Sequence, residues 1–189
     1  MKVTSAKTYQ VIRAILEMKS FTQYEISKKE KVTFSVVNRV VNWLVTRGYV
    51  VKRTGRYELI AAGAVFSLFP LYRKMKPKAV FDVDISSADF LKLIKGKGVL
   101  ALTSALAFYD DYFRDPAIHV YLKDNKLQEV LKSLPKGYTH IEIYDEDLPL
   151  DDSGMEKNQL ITSKIRTVID LFCSNKAYAA ERLIKREWG

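Results

Sequence analysis

The first part of the chain places its apolar residues at helical intervals. Tyr9, Ile12 and Leu16 recur between polar positions, which predicts an amphipathic helix over residues 4–18. Thr22 stands three residues before Glu25, the spacing of a capping box, in which a hydroxyl and a carboxylate satisfy the free amides of a helix start. We therefore expect a short second helix from this point to about residue 29.

A third helix is predicted over residues 34–47, where Gly48 suits the left-handed end of a helix. Its apolar stripe consists of Phe34, Val37, Val41 and Leu44. Its polar stripe consists of Ser35, Asn38, Arg39, Asn42 and Thr46. The polar stripe contains no acidic residue, which distinguishes it from most solvated helix faces.

Two predicted strands follow the third helix, over residues 49–53 and 56–60, with Thr54 and Gly55 as a two-residue hairpin loop. Helix, helix, turn, helix and hairpin is an order that resembles the winged helix-turn-helix family over the first 60 or so residues. The resemblance implies that the third helix enters a DNA major groove while the basic hairpin reaches phosphates or the minor groove.

The candidate DNA-binding residues follow from this placement and from their chemistry. Arginine can pair bidentately with guanine, asparagine with adenine, and a helix N-terminus with a phosphate. The predicted contacts are Lys31, Thr33, Ser35, Asn38, Arg39, Asn42, Lys52, Arg53 and Arg56. A protein-interaction adaptor built on the same fold remains an open alternative.

The charge of the chain is divided unevenly between its two parts. Residues 1–78 contain 16 lysines and arginines against four glutamates, a net charge of +12, whereas the remainder carries −3. A basic module joined to a mildly acidic one indicates that the first part meets a polyanion. The boundary is expected in the lysine-rich stretch near residues 72–78, which divides a DNA-binding domain at 1–72 from a mixed α/β domain at 79–189.

Composition narrows the class of protein further. The chain has 189 residues, 48% of them hydrophobic, which suffices for a packed core, and it has no apolar stretch of membrane-spanning length. Cys173 is the single cysteine, so neither an intramolecular disulfide nor a thiolate zinc site is expected. We expect an α+β protein of the cytoplasm that requires no cofactor and no metal.

In the second part of the chain, residues 79–189, the apolar pattern predicts strands over residues 80–85, 118–122 and 138–144, with a mostly helical segment over 100–113.

Asp82 and Asp84 lie on one face of the first of these strands, the pattern with which nucleotidyltransferases hold magnesium ions. The glycine-containing phosphate grip of those enzymes is missing upstream, and His119 and His140 lack a third ligand at metal-site spacing. The sequence therefore predicts a protein without catalytic function, and a nucleotidyltransferase using the two aspartates is the alternative.

The segments ALTSALAFY, AIHVYL and ITSKIRTVIDLF in this part resemble the AbiEi-type antitoxins and related transcriptional regulators. That resemblance implies a nucleotidyltransferase-like but non-catalytic second domain, repression of its own operon, and a cognate nucleotidyltransferase toxin as partner. A two-fold operator would call for a homodimer. The positions carried over from the family, as fold-determining residues, are Thr103, Ser104, Ala105, Arg166, Thr167 and Asp170.

Overall fold

The chain combines helices with two separate sheets, one antiparallel and one mixed, so the expected α+β class is confirmed. The computed structural model describes all 189 residues. It divides into a first unit, Met1–Arg73 with Glu187–Gly189, and a second unit, Lys74–Arg186. No helix has the length and apolar character needed to cross a lipid bilayer.

The first unit is a helical module closed by a small sheet. Its three strands, β1 (Ser20–Phe21), β2 (Val50–Arg53) and β3 (Arg56–Leu59), lie in the order β1-β3-β2, and all of them pair antiparallel. The hairpin loop places Thr54 and Gly55 at φ values of 43° and 83°, and positive φ at both positions is what a tight two-residue hairpin requires. The elements are α1 (Ala6–Met18), β1 (Ser20–Phe21), α2 (Gln23–Glu30), α3 (Phe34–Thr46), β2 (Val50–Arg53), β3 (Arg56–Leu59) and α4 (Ala62–Phe66).

The core of the first unit is formed by the apolar stripes of α1 and α3. Tyr9, Ile12 and Leu16 of α1 are fully buried, as are Val41 and Leu44 of α3. Burial of each such side chain contributes about 1.5–3 kcal/mol, so these stripes account for the packing of the helices.

Trp188, at the C-terminal end of the chain, belongs to this same core. Its ring packs edge-to-face on Phe66 at 5.1 Å between centroids, and its Nε1 donates a hydrogen bond of 2.7 Å to the carbonyl oxygen of Leu16. No local sequence pattern indicates this contact, because it joins residues 172 positions apart.

The second unit contains a six-stranded mixed sheet. Its strands are β4 (Ala79–Val83), β5 (Gly98–Leu100), β6 (Ile118–Leu122), β7 (Thr139–Tyr144), β8 (Gly154–Glu156) and β9 (Gln159–Ile161). They lie in the order β4-β7-β6-β5-β9-β8; the pairs β6–β7 and β5–β9 are parallel and the others antiparallel. Its helices are α5 (Ser87–Leu93), α6 (Leu102–Leu106), α7 (Asn125–Ser133), α8 (Lys164–Cys173) and α9 (Glu181–Trp188), the last of which ends in the first unit.

The two faces of this sheet differ in chemistry. One face, with Val120, Ile141 and Ile143, packs against Phe90 of α5 and Leu131 of α7 in an apolar cluster. The other face carries polar and ionisable side chains, because successive residues of a strand point to opposite faces. They are Asp82, His119, Tyr121, His140, Glu142 and Tyr144.

Gly137 lies where two segments of backbone approach each other too closely for a side chain. A Cβ atom at this position would lie 2.4 Å from the Cα atom of Asp84, closer than real Cβ contacts. Only glycine therefore allows the chain to pass beside the end of β4.

The segment over residues 100–113 is less helical than its composition predicts. Only Leu102–Leu106 forms an α-helix, and a loop follows. The carboxylates of Asp110 and Asp115 accept hydrogen bonds from the backbone amides of Tyr112 and Ala117, two residues further on. A turn follows α6 as far as Asp110, whose amide donates to the carbonyl oxygen of Leu106, and the local bonds of the two aspartates favour non-helical backbone after it.

Candidate nucleic-acid interface

The position of α3 is set by the short α2 before it and by the turn that joins them. Thr22 and Glu25 form the expected capping box, with the amide of Glu25 donating to the Thr22 hydroxyl at 3.2 Å and the amide of Thr22 donating to the Glu25 carboxylate at 2.6 Å. Lys31 ends α2 in the left-handed conformation, with φ of 52°. The buried side chains Ile26 and Val37 then pack α2 and α3 against the core and leave the opposite face of α3 to solvent.

A hydrogen-bonded amide network fixes the middle of that exposed face. The Oδ1 atom of Asn38 accepts one hydrogen bond from Nδ2 of Asn42 and one from Nε2 of Gln23, both at 3.1 Å. Gln23, on α2, is largely buried and also donates to the hydroxyl of Tyr57 on β3 at 3.2 Å. The two asparagine side chains are therefore oriented before any ligand binds.

Sequence patterns identified Asn38 and Asn42 but not Gln23 or Tyr57. The only sequence signal for Gln23 is a polar residue at the first position of a helix, where its direction is undetermined. Its contact with Tyr57 depends on the β3 strand returning beside α2, which is a tertiary feature.

The remaining predicted residues of α3 lie around this network. Ser35 and Arg39 are exposed, and Arg39 lines a shallow cavity of about 460 Å³ with Trp43 and the N-terminal residues Lys2 and Ser5. Thr33 stands at the N-cap, but its hydroxyl lies 3.4 Å from that of Ser35 and caps no backbone amide.

One member of the apolar stripe of α3 is not part of the core. Phe34 is 54% exposed at the first position of α3, whereas the other three stripe residues are buried. It lies at the end of the helix, beyond the contacts that bury Val37.

The three predicted hairpin cations have different partners. The guanidinium of Arg56 bonds both carboxylate oxygens of Glu25, at 3.0 and 3.1 Å, and the carbonyl oxygen of Ser20 at 3.2 Å. Arg53 lies 3.4 Å from the carboxylate of Glu58, a looser and more exposed pair. Lys52 contacts an aromatic ring and not a carboxylate: its Nζ lies 5.7 Å from the centre of the Tyr57 ring.

The carboxylate of Glu25 thus serves both α2 and the hairpin. Its hydrogen bond from the Thr22 amide, followed by that from Arg56, holds the pKa of the Glu25 carboxyl below its ordinary value. Arg56 is consequently committed to an intramolecular role in this structure, whereas Lys52 and the exposed Lys31 offer their charge to solvent.

In the second unit the aspartate pair does not form a metal cradle. Asp82 bonds Nδ1 of His140 at 2.7 Å, across the β4–β7 pair, and Asp84 is exposed beyond the end of the strand. The structure brings together no group of three or more histidine, cysteine, aspartate or glutamate side chains in positions to hold a metal ion.

His119 lies fully buried on the polar face of the sheet. Its Nδ1 is 3.2 Å from Glu142, and its Nε2 is 3.3 Å from the Nζ of Lys176. Burial, followed by the charge of Lys176, lowers the pKa of this imidazole, so the ring is neutral near pH 7.

The positions carried over from the antitoxin resemblance are packed inside the second unit. Arg166 and Asp170 are fully buried and bond each other at 2.9 Å, and both bond the hydroxyl of Tyr121, at 2.7 and 2.8 Å. Ser104 accepts a bond of 2.9 Å from the backbone amide of His119. Thr103, Ala105 and Thr167 are also buried.

Comparison of the chain with family models, with curated proteins and with solved structures finds no match.

Proposed function

We propose that the protein is a sequence-specific double-stranded DNA-binding transcriptional regulator whose first unit is a winged helix-turn-helix domain. The observation that carries this proposal is the acid-free, exposed face of α3, on which Asn38 and Asn42 are held by hydrogen bonds. The amide of Asn42 can donate to N7 of adenine and accept from its exocyclic amine, the pairing that distinguishes adenine in the major groove, whereas Oδ1 of Asn38 accepts two protein hydrogen bonds and orients Asn42.

Charge supports the same ligand. The net charge of +12 over residues 1–78 attracts a polyanion, and exposed cations flank α3 on both sides, with Lys31 before it and Lys52 in the hairpin after it. The amides at the start of α3 are free of a side-chain cap, so they can donate to a phosphate.

The contacts divide into two classes with different effects on binding. Asn42, Arg39 and Ser35 would contact base edges or adjacent phosphates, whereas Lys31 and Lys52 would neutralise phosphates without reading sequence. Arg56 can contribute to binding only by releasing Glu25, so we assign it chiefly to the support of the hairpin.

The resemblance to AbiEi-type antitoxins extends the proposal to negative autoregulation, with a cognate nucleotidyltransferase toxin as protein partner and a homodimer on a symmetric operator. A promoter–reporter fusion of the protein's own operon tests this extension. Repression by the wild-type chain and its loss in Asn42→Ala are expected, whereas a reporter unaffected by the wild-type chain would contradict autoregulation.

The DNA proposal itself is tested by recovering genomic fragments bound to the full-length protein and footprinting them. We expect a discrete protected site, whose half-site spacing also reports the number of protein copies. Asn42→Ala should lower the ratio of specific to non-specific affinity by about five- to 100-fold, the effect of losing one bidentate base contact.

Asn125→Ala is the matched control, since Asn125 is an exposed asparagine near a helix start in the second unit. Equal enrichment of fragments by the wild type, Asn42→Ala and Asn125→Ala would overturn the assignment of α3 as the base-reading element.

A further inference from the structure

Two exposed tyrosine rings lie beside a cluster of cations in the second unit. Tyr112 is 75% exposed and Tyr178 is 61% exposed, although aromatic rings of this size normally contribute to cores. We call the surface around them the aromatic–basic patch; it consists of Tyr112, Phe113, Tyr178, Arg182, Lys185 and Arg186.

Each of the two tyrosine rings is held in place by a neighbouring side chain. The guanidinium of Arg182 lies 4.6 Å from the centre of the Tyr112 ring, which covers one face of the ring and leaves the other to solvent. Tyr178 meets Phe113 edge-to-face at 5.8 Å, an arrangement that positions the tyrosine ring without stacking on it.

Ion pairs tie the loop that carries Tyr112 to the segment that carries Tyr178. Lys176 bonds the carboxylate of Asp115 at 2.9 Å, and Arg182 lies 3.7 Å from Asp110. Burial alone would raise the pKa of the Asp115 carboxyl, but the bonds from Lys176 and from the Ala117 amide outweigh it and hold that pKa well below its ordinary value. The patch is therefore preorganised, which lowers the entropy cost of binding.

The cations of the patch surround a cavity of suitable size. Arg182, Lys185 and Arg186 line a cavity of about 400 Å³ together with Asp110, whose side chain is almost fully buried. The exposed acids adjacent in sequence, Asp111 and Glu181, do not line it. Three cations against one buried carboxylate make the cavity electropositive, and its volume is in the range of small-ligand sites.

We infer that the aromatic–basic patch binds single-stranded nucleic acid, with bases stacked on Tyr112 and Tyr178 and phosphates held by Arg182, Lys185 and Arg186. Stacking platforms interleaved with cations are how proteins hold unpaired strands. In a duplex the faces of the bases are covered by neighbouring base pairs, and an acidic protein has no bases that could stack on the tyrosine rings. An unpaired strand is therefore the polyanion that uses both the rings and the cations of the patch. This site is separate from the duplex-binding face proposed for α3 and does not depend on it.

The inference is tested by fluorescence anisotropy on the full chain, with labelled oligothymidine and oligouridine of about 12 nucleotides. Tyr112→Ala and Tyr178→Ala should each weaken binding by about tenfold, the effect of removing one stacked base. Tyr112→Trp should restore or improve it. The two oligonucleotides distinguish DNA from RNA as the natural strand.

Two further variants separate stacking from charge. Arg182→Gln should weaken binding and reduce the slope of log affinity against log salt by about 0.7, the value for one phosphate of a single strand. Tyr138→Ala is the matched control, because Tyr138 is 104% exposed in the same unit and lies outside the patch; it should bind like the wild type.

Three results would overturn the inference. The first is equal affinity of Tyr112→Ala and Tyr138→Ala for both oligonucleotides. The second is full competition by polyglutamate combined with no recovery in Tyr112→Trp, which would indicate an acidic protein partner. The third is loss of single-strand binding in Asn42→Ala while the patch variants bind normally, which would place the site on α3.

Discussion

The guanidinium of Arg56 forms hydrogen bonds of 3.0 and 3.1 Å with the two carboxylate oxygens of Glu25, which joins the hairpin to the first turn of α2. The same carboxylate accepts the Thr22 amide in the capping box. One glutamate therefore fixes the start of α2 and the angle of the hairpin together, and it neutralises the cation that sequence alone would assign to DNA.

This pairing predicts that the hairpin cations differ in their effect on DNA binding. Lys52→Ala should weaken binding to all duplexes alike and reduce the slope of log affinity against log salt by about 0.9, the value for one lost phosphate contact. Arg56→Ala should change the slope less, because its charge is already balanced by Glu25. Anisotropy titrations across a salt series measure both slopes.

Lys126→Ala is the control for Lys52→Ala, since Lys126 is an exposed lysine of the second unit. A larger change of slope in Arg56→Ala than in Lys52→Ala would show that Arg56 leaves Glu25 to bind phosphate.

A second prediction concerns Gln23, which is 8% exposed and donates to Asn38. Gln23→Met preserves the length of the side chain but removes its amide, so Asn38 loses one of the bonds that orient it. Affinity for the preferred site should fall by less than the roughly 1–3 kcal/mol of a direct bidentate contact. The salt slope should stay unchanged, because no phosphate contact is lost.

The measurement for Gln23→Met is a pair of titrations, on the footprinted site and on an unrelated duplex. An equal loss of affinity on both duplexes would mean that the substitution disturbs the fold of the unit and not the orientation of Asn38.

A third prediction is the pH response of the Asp82–His140 pair. The hydrogen bond that Nδ1 of His140 donates to the Asp82 carboxylate raises the pKa of His140 above its ordinary 6.5, and Glu142 adds to this effect. A histidine with a raised pKa stabilises the fold fully below its unfolded value and loses that contribution as the pH rises through the folded value. Asp82→Asn should therefore lower the melting temperature most below pH 6.5 and progressively less above the raised pKa.

Ring resonances of His140, followed by NMR during a pH titration, check this directly. The midpoint of the His140 titration should lie at a higher pH than that of an unstructured histidine, and it should fall in Asp82→Asn. His119 serves as an internal reference with the opposite shift, since burial lowers its pKa. An unchanged His140 midpoint in the variant would contradict the pairing.

A fourth prediction concerns the buried ion pair of Arg166 and Asp170, both of which are fully excluded from solvent. Arg166→Met leaves the Asp170 carboxylate without this partner, which should cost about 3–5 kcal/mol of unfolding free energy. A triple variant that replaces all three bonded side chains, Arg166→Met with Asp170→Leu and Tyr121→Phe, should recover most of that loss of unfolding free energy. Chemical denaturation measures each value, and additive losses in the triple variant would refute the coupling.

Local sequence patterns predicted the elements that depend on neighbouring residues. The capping box of Thr22 and Glu25 and the hairpin loop of Thr54 and Gly55 were confirmed, because caps and tight turns are decided within a few residues. The mostly helical segment expected over residues 100–113 was wrong beyond Leu106, where a turn follows and the carboxylates of Asp110 and Asp115 accept hydrogen bonds from nearby amides. The domain limits, the DNA contacts and the antitoxin resemblance stay predictions.

By itself, the sequence determined the α+β class, the basic character of the first part, and the polar stripe of α3, all of which follow from composition and from periodic spacing. Only the tertiary structure decided that Gln23 orients Asn38, that Glu25 takes the charge of Arg56, that Tyr112 lies beside Arg182, and that Tyr178 lies beside Phe113. The physical reason is distance along the chain: these contacts join residues brought together by packing, and no short-range propensity encodes which side chains will meet.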